Sequence, residues 1–88
     1  MPYIKPEFRQ LLDPMLAPLI EHLKKENARI LDGELNYLIT KLLKNLYAAK
    51  YFEYNRALGV LEAVKQEYYR TAVGPYEEQK RLENGDVQ

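Results

Sequence analysis

Apolar positions recur along the chain at helical spacing, and nowhere do apolar and polar residues alternate over the length of a strand. Two amphipathic helices are predicted from about residue 14 to 27 and from about 33 to 50. The second has the most regular stripe: Leu35, Leu38, Ile39, Leu42, Leu43 and Leu46. A third helix is predicted from about residue 53 to 73. The fold class is therefore predicted to be all-α, a small bundle of three main helices with short helical segments at the termini.

Aspartate followed by proline or glycine marks the predicted starts of the first two helices. Asp13-Pro14 is typical of an N-cap followed by proline at the first helical position. Residues 1–12 are then a separate N-terminal arm with one short helical turn. Asp32-Gly33 predicts a turn, or the start of the second helix with the aspartate as its cap.

Gly74-Pro75 predicts either the end of the third helix or a kink in it, because the residue before a proline is disfavoured in the α conformation. Residues 75–88 become a C-terminal helical segment and tail, and residues 1–88 form a single domain. The leucine stripe of the second helix and the face of the third from Tyr54 to Tyr68 are expected to form the core.

Composition excludes several functional classes. The chain has 88 residues, with 13 Lys and Arg against 13 Asp and Glu, so the basic excess typical of nucleic-acid binding is absent. It has no cysteine, which excludes a disulfide scaffold and is consistent with the cytoplasm. No apolar run approaches the ~20 residues that cross a bilayer, so no membrane partner is expected.

No catalytic constellation is present. The chain has no serine, one histidine, no phosphate-binding glycine loop and no Glu-x-x-His pair of the di-iron type. A multi-histidine metal site is excluded. No catalytic residue, metal or cofactor is predicted, and the pattern favours a protein that is not an enzyme.

A polar stripe beside the apolar face of the third helix is the first candidate site. It contains Asn55, Gly59 and Glu62 and continues to Tyr69. Gly59 lies in mid-helix, where glycine costs about 1 kcal/mol relative to alanine. Either another backbone or a ligand approaches it closely, or the stripe is an ordinary half-exposed flank with an incidental glycine.

A second candidate site lies at one end of the bundle. The second and third helices, joined by a short turn, are expected to run antiparallel, and residues 75–84 are expected to fold back toward the start of the second helix. The residues that would meet there are Glu34, Tyr37, Glu62, Glu67, Tyr69, Arg70, Tyr76 and Glu77. This cluster is either a structural network at the helix ends or a ligand site.

Four motifs occur in order: GELNY in the second helix, EYYR at the end of the third, then PYE and NGDV. This set resembles a family of small, uncharacterised phage and prokaryotic proteins of about this length. The family carries an aromatic-Arg-Arg where this chain has Tyr69-Arg70-Thr71, which weakens any role that needs a second arginine. The resemblance implies no activity.

Three functions compete. The first is a self-associating protein-interaction module, most simply a two-fold dimer, because Tyr37 and Tyr47 lie outside the leucine stripe. A further protein partner would use the same surface. The alternative is a small enzyme or a ligand- or metal-binding protein that uses the Glu/Tyr/Arg cluster. A nucleic-acid regulator comes third, since no recognition helix stands out.

Overall fold

The computed structural model describes residues 2–88. Their helices are α1 Pro6–Lys24, α2 Ala28–Leu46, α3 Tyr51–Tyr68, a π-helical turn Tyr69–Val73, and α4 Gly74–Asn84. No strand occurs within these residues, and none of their helices is both long enough and apolar enough to cross a membrane. The predicted all-α fold with three main helices is confirmed.

Helix α1 starts earlier than predicted and runs without interruption through Asp13-Pro14. Lys5 is its extended N-cap residue, and Pro6 takes the first position, where a missing N–H leaves no bond unmade. The predicted cap at Asp13 was therefore wrong. Pro14 and Pro18 lie inside the helix, where each costs about 3 kcal/mol relative to alanine. Helix α1 thus needs support from packing.

Helix α2 also starts earlier, at Ala28. The side chain of Asn27 accepts a hydrogen bond of 3.1 Å from the backbone N–H of Ile30, which is the usual role of asparagine at this position. Asp32-Gly33 lies inside the helix, so the predicted start there was wrong.

The predicted boundary at Gly74-Pro75 coincides with the start of α4, but the chain stays helical there because the π-helical turn joins α3 directly to α4. The N–H of Gly74 donates to the carbonyl of Tyr69, five residues back. A Cβ on Gly74 would lie 3.2 Å from that oxygen, and glycine also lacks the Cβ that clashes with a following proline. As expected, the helix ends at Gly85, which has a φ of 89°.

The three main helices contact one another near their ends. His22 in α1 is hydrogen-bonded to Glu34 in α2, and the guanidinium carbon of Arg56 in α3 lies 5.4 Å from the ring centroid of Tyr47, just after α2. The start of the chain reaches α3 through Tyr3. These contacts enclose no core.

Among residues 2–88 only Ala57 is buried. Leu42, in the middle of the α2 stripe, is 58% exposed, and Tyr54 and Tyr68 on α3 are also exposed. The prediction of a core inside the single chain was therefore wrong. The radius of gyration is 16.7 Å, against about 12 Å for a compact domain of this length.

Candidate functional site

The end of α3 holds a three-residue polar network that connects the segment before α1 with α3. Arg70 donates from one terminal nitrogen to the hydroxyl of Tyr3 at 2.7 Å and to Oε1 of Glu67 at 2.5 Å. The hydroxyl of Tyr3 donates to the same Glu67 oxygen. Tyr3 lies in the extended segment before α1, so this network fastens that segment to α3.

Protonation preferences in the network follow from these hydrogen bonds. The pKa of the Glu67 carboxyl is lowered, first by the bond from Tyr3 and then by the bond from Arg70. The hydrogen bond that Tyr3 donates to Glu67 raises the pKa of Tyr3. The hydrogen bond that Arg70 donates to Glu67 raises the pKa of Arg70. At neutral pH Glu67 is therefore an anion held between the phenol of Tyr3 and the guanidinium of Arg70.

Two other residues of the predicted cluster, Tyr69 and Tyr76, contact residues of α4. The hydroxyl of Tyr69 donates to Glu77 across the π-helical turn, and this bond raises the pKa of Tyr69. The ammonium group of Lys80 lies over the ring of Tyr76, 5.6 Å from the ring centroid. Both contacts are local to the path from α3 into α4.

Glu34 and Tyr37, at the other side of the predicted cluster, contact different residues. Oε2 of Glu34 is 3.1 Å from Nε2 of His22. The hydroxyl of Tyr37 accepts from Lys41 at 3.3 Å, one turn along α2. Within residues 2–88, no hydrogen bond joins Glu34 or Tyr37 to Tyr69, Arg70 or Tyr76. The structure thus divides the predicted cluster into separate groups.

One group of potential metal ligands was not predicted from the sequence. His22, Glu26 and Glu34 place a ring nitrogen and two carboxylate oxygens within 4.8 Å of one another. These donor types suit zinc. The i, i+4 spacing of His22 and Glu26 could have indicated part of the group, but only the α1–α2 hairpin adds Glu34. We interpret this group as a polar contact between α1 and α2, because the hydrogen bond between His22 and Glu34 already explains why the ring and the carboxylate lie close together.

The polar stripe of α3 is open to solvent. Glu62 accepts from Gln66 at 3.2 Å, and this bond is the first cause of its lowered pKa. Asn55 is exposed. A Cβ built on Gly59 would meet nothing within 4 Å. Among the residues that the structure describes, therefore, none approaches Gly59 closely enough to require glycine.

Exposed apolar surface is the most extensive feature of the molecule. Phe8, Leu11 and Met15 on α1 are each more than half exposed. An open apolar groove of about 570 Å³ lies between α2 and α3, and Leu43 and Tyr54 are among its lining residues. Large contiguous apolar patches mark interaction surfaces in soluble proteins.

Comparison with known proteins gives a family whose function is not established. A family model described as Domain of unknown function (DUF6899) matches residues 1–87. No curated protein matches the chain, and no solved structure matches it.

Proposed function

The chain belongs to this family of unknown function, and we propose that it is a self-associating interaction module, a homodimer in which two copies share one apolar core. The observation that carries this proposal is the exposure of most of the large apolar side chains on α1, α2 and α3. A folded chain needs apolar burial to offset the conformational entropy of ordering its residues, and a single buried alanine does not provide it.

The surface area supports the same conclusion quantitatively. The chain exposes 8089 Å², whereas a folded monomer of its mass, 10.4 kDa, exposes about 5,400 Å². The excess is about 2,700 Å² per chain, or about 5,400 Å² over two copies, which lies at the upper end of the range of about 2,000–5,000 Å² and more that obligate dimers bury over both partners. An interface of that size would bring the exposed area per chain to the value of an ordinary folded protein.

Helix α1 gives a second line of support. It contains two interior prolines, and its contacts with the rest of the chain lie near its C-terminal end, where Leu19 and His22 line a groove with α2. A helix with this composition has little stability of its own. A second copy would supply the packing that α1 lacks.

The proposal is tested by thermal unfolding at protein concentrations spanning a hundredfold range. If folding and association are one step, the unfolding midpoint rises with concentration, because mass action changes the stability of the dimer by about 2.7 kcal/mol over that range. Identical midpoints at all concentrations would contradict the proposal.

Ligand binding at the Tyr3–Glu67–Arg70 network is the second candidate. Arg70 is 65% exposed in its side chain and bonds Tyr3 and Glu67 through the same nitrogen, so its other donors are accessible to a carboxylate or phosphate. A thermal-shift screen with nucleotides, carboxylic acids and divalent metals tests this function. A shift that Arg70→Lys abolishes would support it, since lysine keeps the charge but loses the planar fork.

Three finer predictions from the sequence are retained as proposals. These are a cytoplasmic location, a phage or prokaryotic origin, and a single domain over residues 1–88. A protein partner other than a second copy of the chain would bind the same apolar faces.

A further inference from the structure

We propose that the exposed centre of the α2 stripe pairs in antiparallel orientation with the same strip of a second copy, across a two-fold axis between Thr40 and Lys41. We call this strip the α2 seam; it consists of Leu35, Ile39, Leu42 and Leu46. The inference rests on the proposed self-association and names the surface that carries it.

The flanks of α2 are already occupied by the chain itself. On one side, Glu34 and Leu38 line a groove with the end of α1. On the other, Leu43 lines the groove with α3. Leu38 and Leu43 are half-buried, whereas the α2 seam between them is exposed, with Leu42 at 58% and Leu46 at 71%. The contacts within the chain thus leave the middle of the apolar face uncovered.

The spacing of the α2 seam matches helix pairing. Its positions are separated by four, three and four residues, which is the alternation of core positions in a coiled coil. They span three helical turns, about 17 Å at 1.5 Å per residue. Leucine and isoleucine at these positions would interdigitate with a facing helix.

The seam is also symmetric about its midpoint, which a two-fold interface requires. A two-fold axis perpendicular to α2 brings Leu35 level with Leu46 of the other copy, and Ile39 level with Leu42. Every member of the seam therefore meets another member. On the flanks, the same axis brings Asn36 level with Asn45 of the other copy, so no like charges are opposed there.

The stripe of α1 is a weaker candidate for this symmetric pairing. Its positions Phe8, Leu12, Met15 and Leu19 have the same spacing, but Leu19 is half-buried and lines the groove with α2. One end of that stripe is therefore covered by the chain itself, and a two-fold partner could not reach its full length.

Cysteine cross-linking tests the pairing, because the chain has no cysteine of its own. Ile39→Cys and Leu42→Cys chains are unfolded, mixed, refolded together and oxidised. A disulfide needs Cα atoms about 4.4–6.8 Å apart. We expect this mixture to give a covalent dimer of twice 10.4 kDa on a non-reducing gel. The out-of-register control is a mixture of Ile39→Cys and Leu46→Cys chains. It should give no more covalent dimer than Leu82→Cys, whose cysteine lies on α4.

Each outcome decides a different claim. Strong cross-linking of the 39/42 mixture alone supports the antiparallel seam. If the chain is a dimer in solution but the 39/42 mixture cross-links no better than the controls, the α2 seam is wrong and self-association still holds. If the unmodified chain is a monomer in solution, both proposals fail. Strong cross-linking of a Leu12→Cys and Met15→Cys mixture instead would place the interface on α1 and overturn the α2 seam.

Discussion

Truncation of Leu42 to alanine distinguishes a leucine on the surface of one chain from a leucine in a shared core. In the single chain Leu42 is 58% exposed. Full burial of a leucine side chain is worth about 1.5–3 kcal/mol, so the part covered within the chain accounts for about 0.6–1.3 kcal/mol. If a second copy covers the rest, Leu42→Ala should cost about 2–5 kcal/mol per chain, as in a packed core.

Urea unfolding followed by far-UV circular dichroism, fitted to a dimer that unfolds to two chains, measures this cost. Leu82→Ala is the matched control, since Leu82 on α4 is 71% exposed and has no place in the seam. The control should cost about 0.4–0.9 kcal/mol. Equal losses of about 1 kcal/mol or less for both variants would refute burial of Leu42 by a partner.

Three further predictions concern helix stability and pH. Gly33 and Gly59 lie in helices where an added methyl group meets no described residue within 4 Å. Alanine at either position should therefore raise the free energy of unfolding, measured by urea titration, by about 1 kcal/mol. A lower free energy of unfolding for Gly59→Ala would mean that another molecule approaches Gly59. Asn27→Ala should cost about 1 kcal/mol by the same titration because it removes the cap of α2, and unchanged stability would contradict that role. The lowered pKa of Glu67 predicts stabilisation that is full above its ordinary value of 4.5 and is lost as pH falls through the lower folded value; Glu67→Gln should flatten this acid-side loss, and parallel stability–pH curves for the two proteins would argue against it.

The helical stripes were predictable from the sequence because they depend only on spacing. The α2 stripe from Leu35 to Leu46 lies inside one helix, as expected. Membership of a family of unknown function was also anticipated. Neither feature depends on how the helices pack.

Helix boundaries were harder to predict because competing local signals differ in strength. Asp13-Pro14 resembles a start, but Pro6 had already started α1. Asn27 caps α2 before Asp32 is reached. At Gly74 the wide π-helical turn accommodates the following proline, and no pattern in the sequence indicated such a turn.

The candidate site was only partly predictable for a different reason. Glu67 and Arg70 are three residues apart on one helix, so their ion pair follows from helical spacing. Their third partner, Tyr3, is more than sixty residues away, and only the path of the chain brings it there. The exposure of the α2 stripe likewise depends on where α1 and α3 contact α2.

Sedimentation equilibrium of the unmodified chain at micromolar concentration, combined with far-UV circular dichroism of the same sample, tests whether the fold requires a second copy. We predict a helical species with twice the chain mass of 10.4 kDa, and loss of helix on dilution as the dimer dissociates. A species of 10.4 kDa that keeps its full helical signal across the concentration range would contradict the shared core.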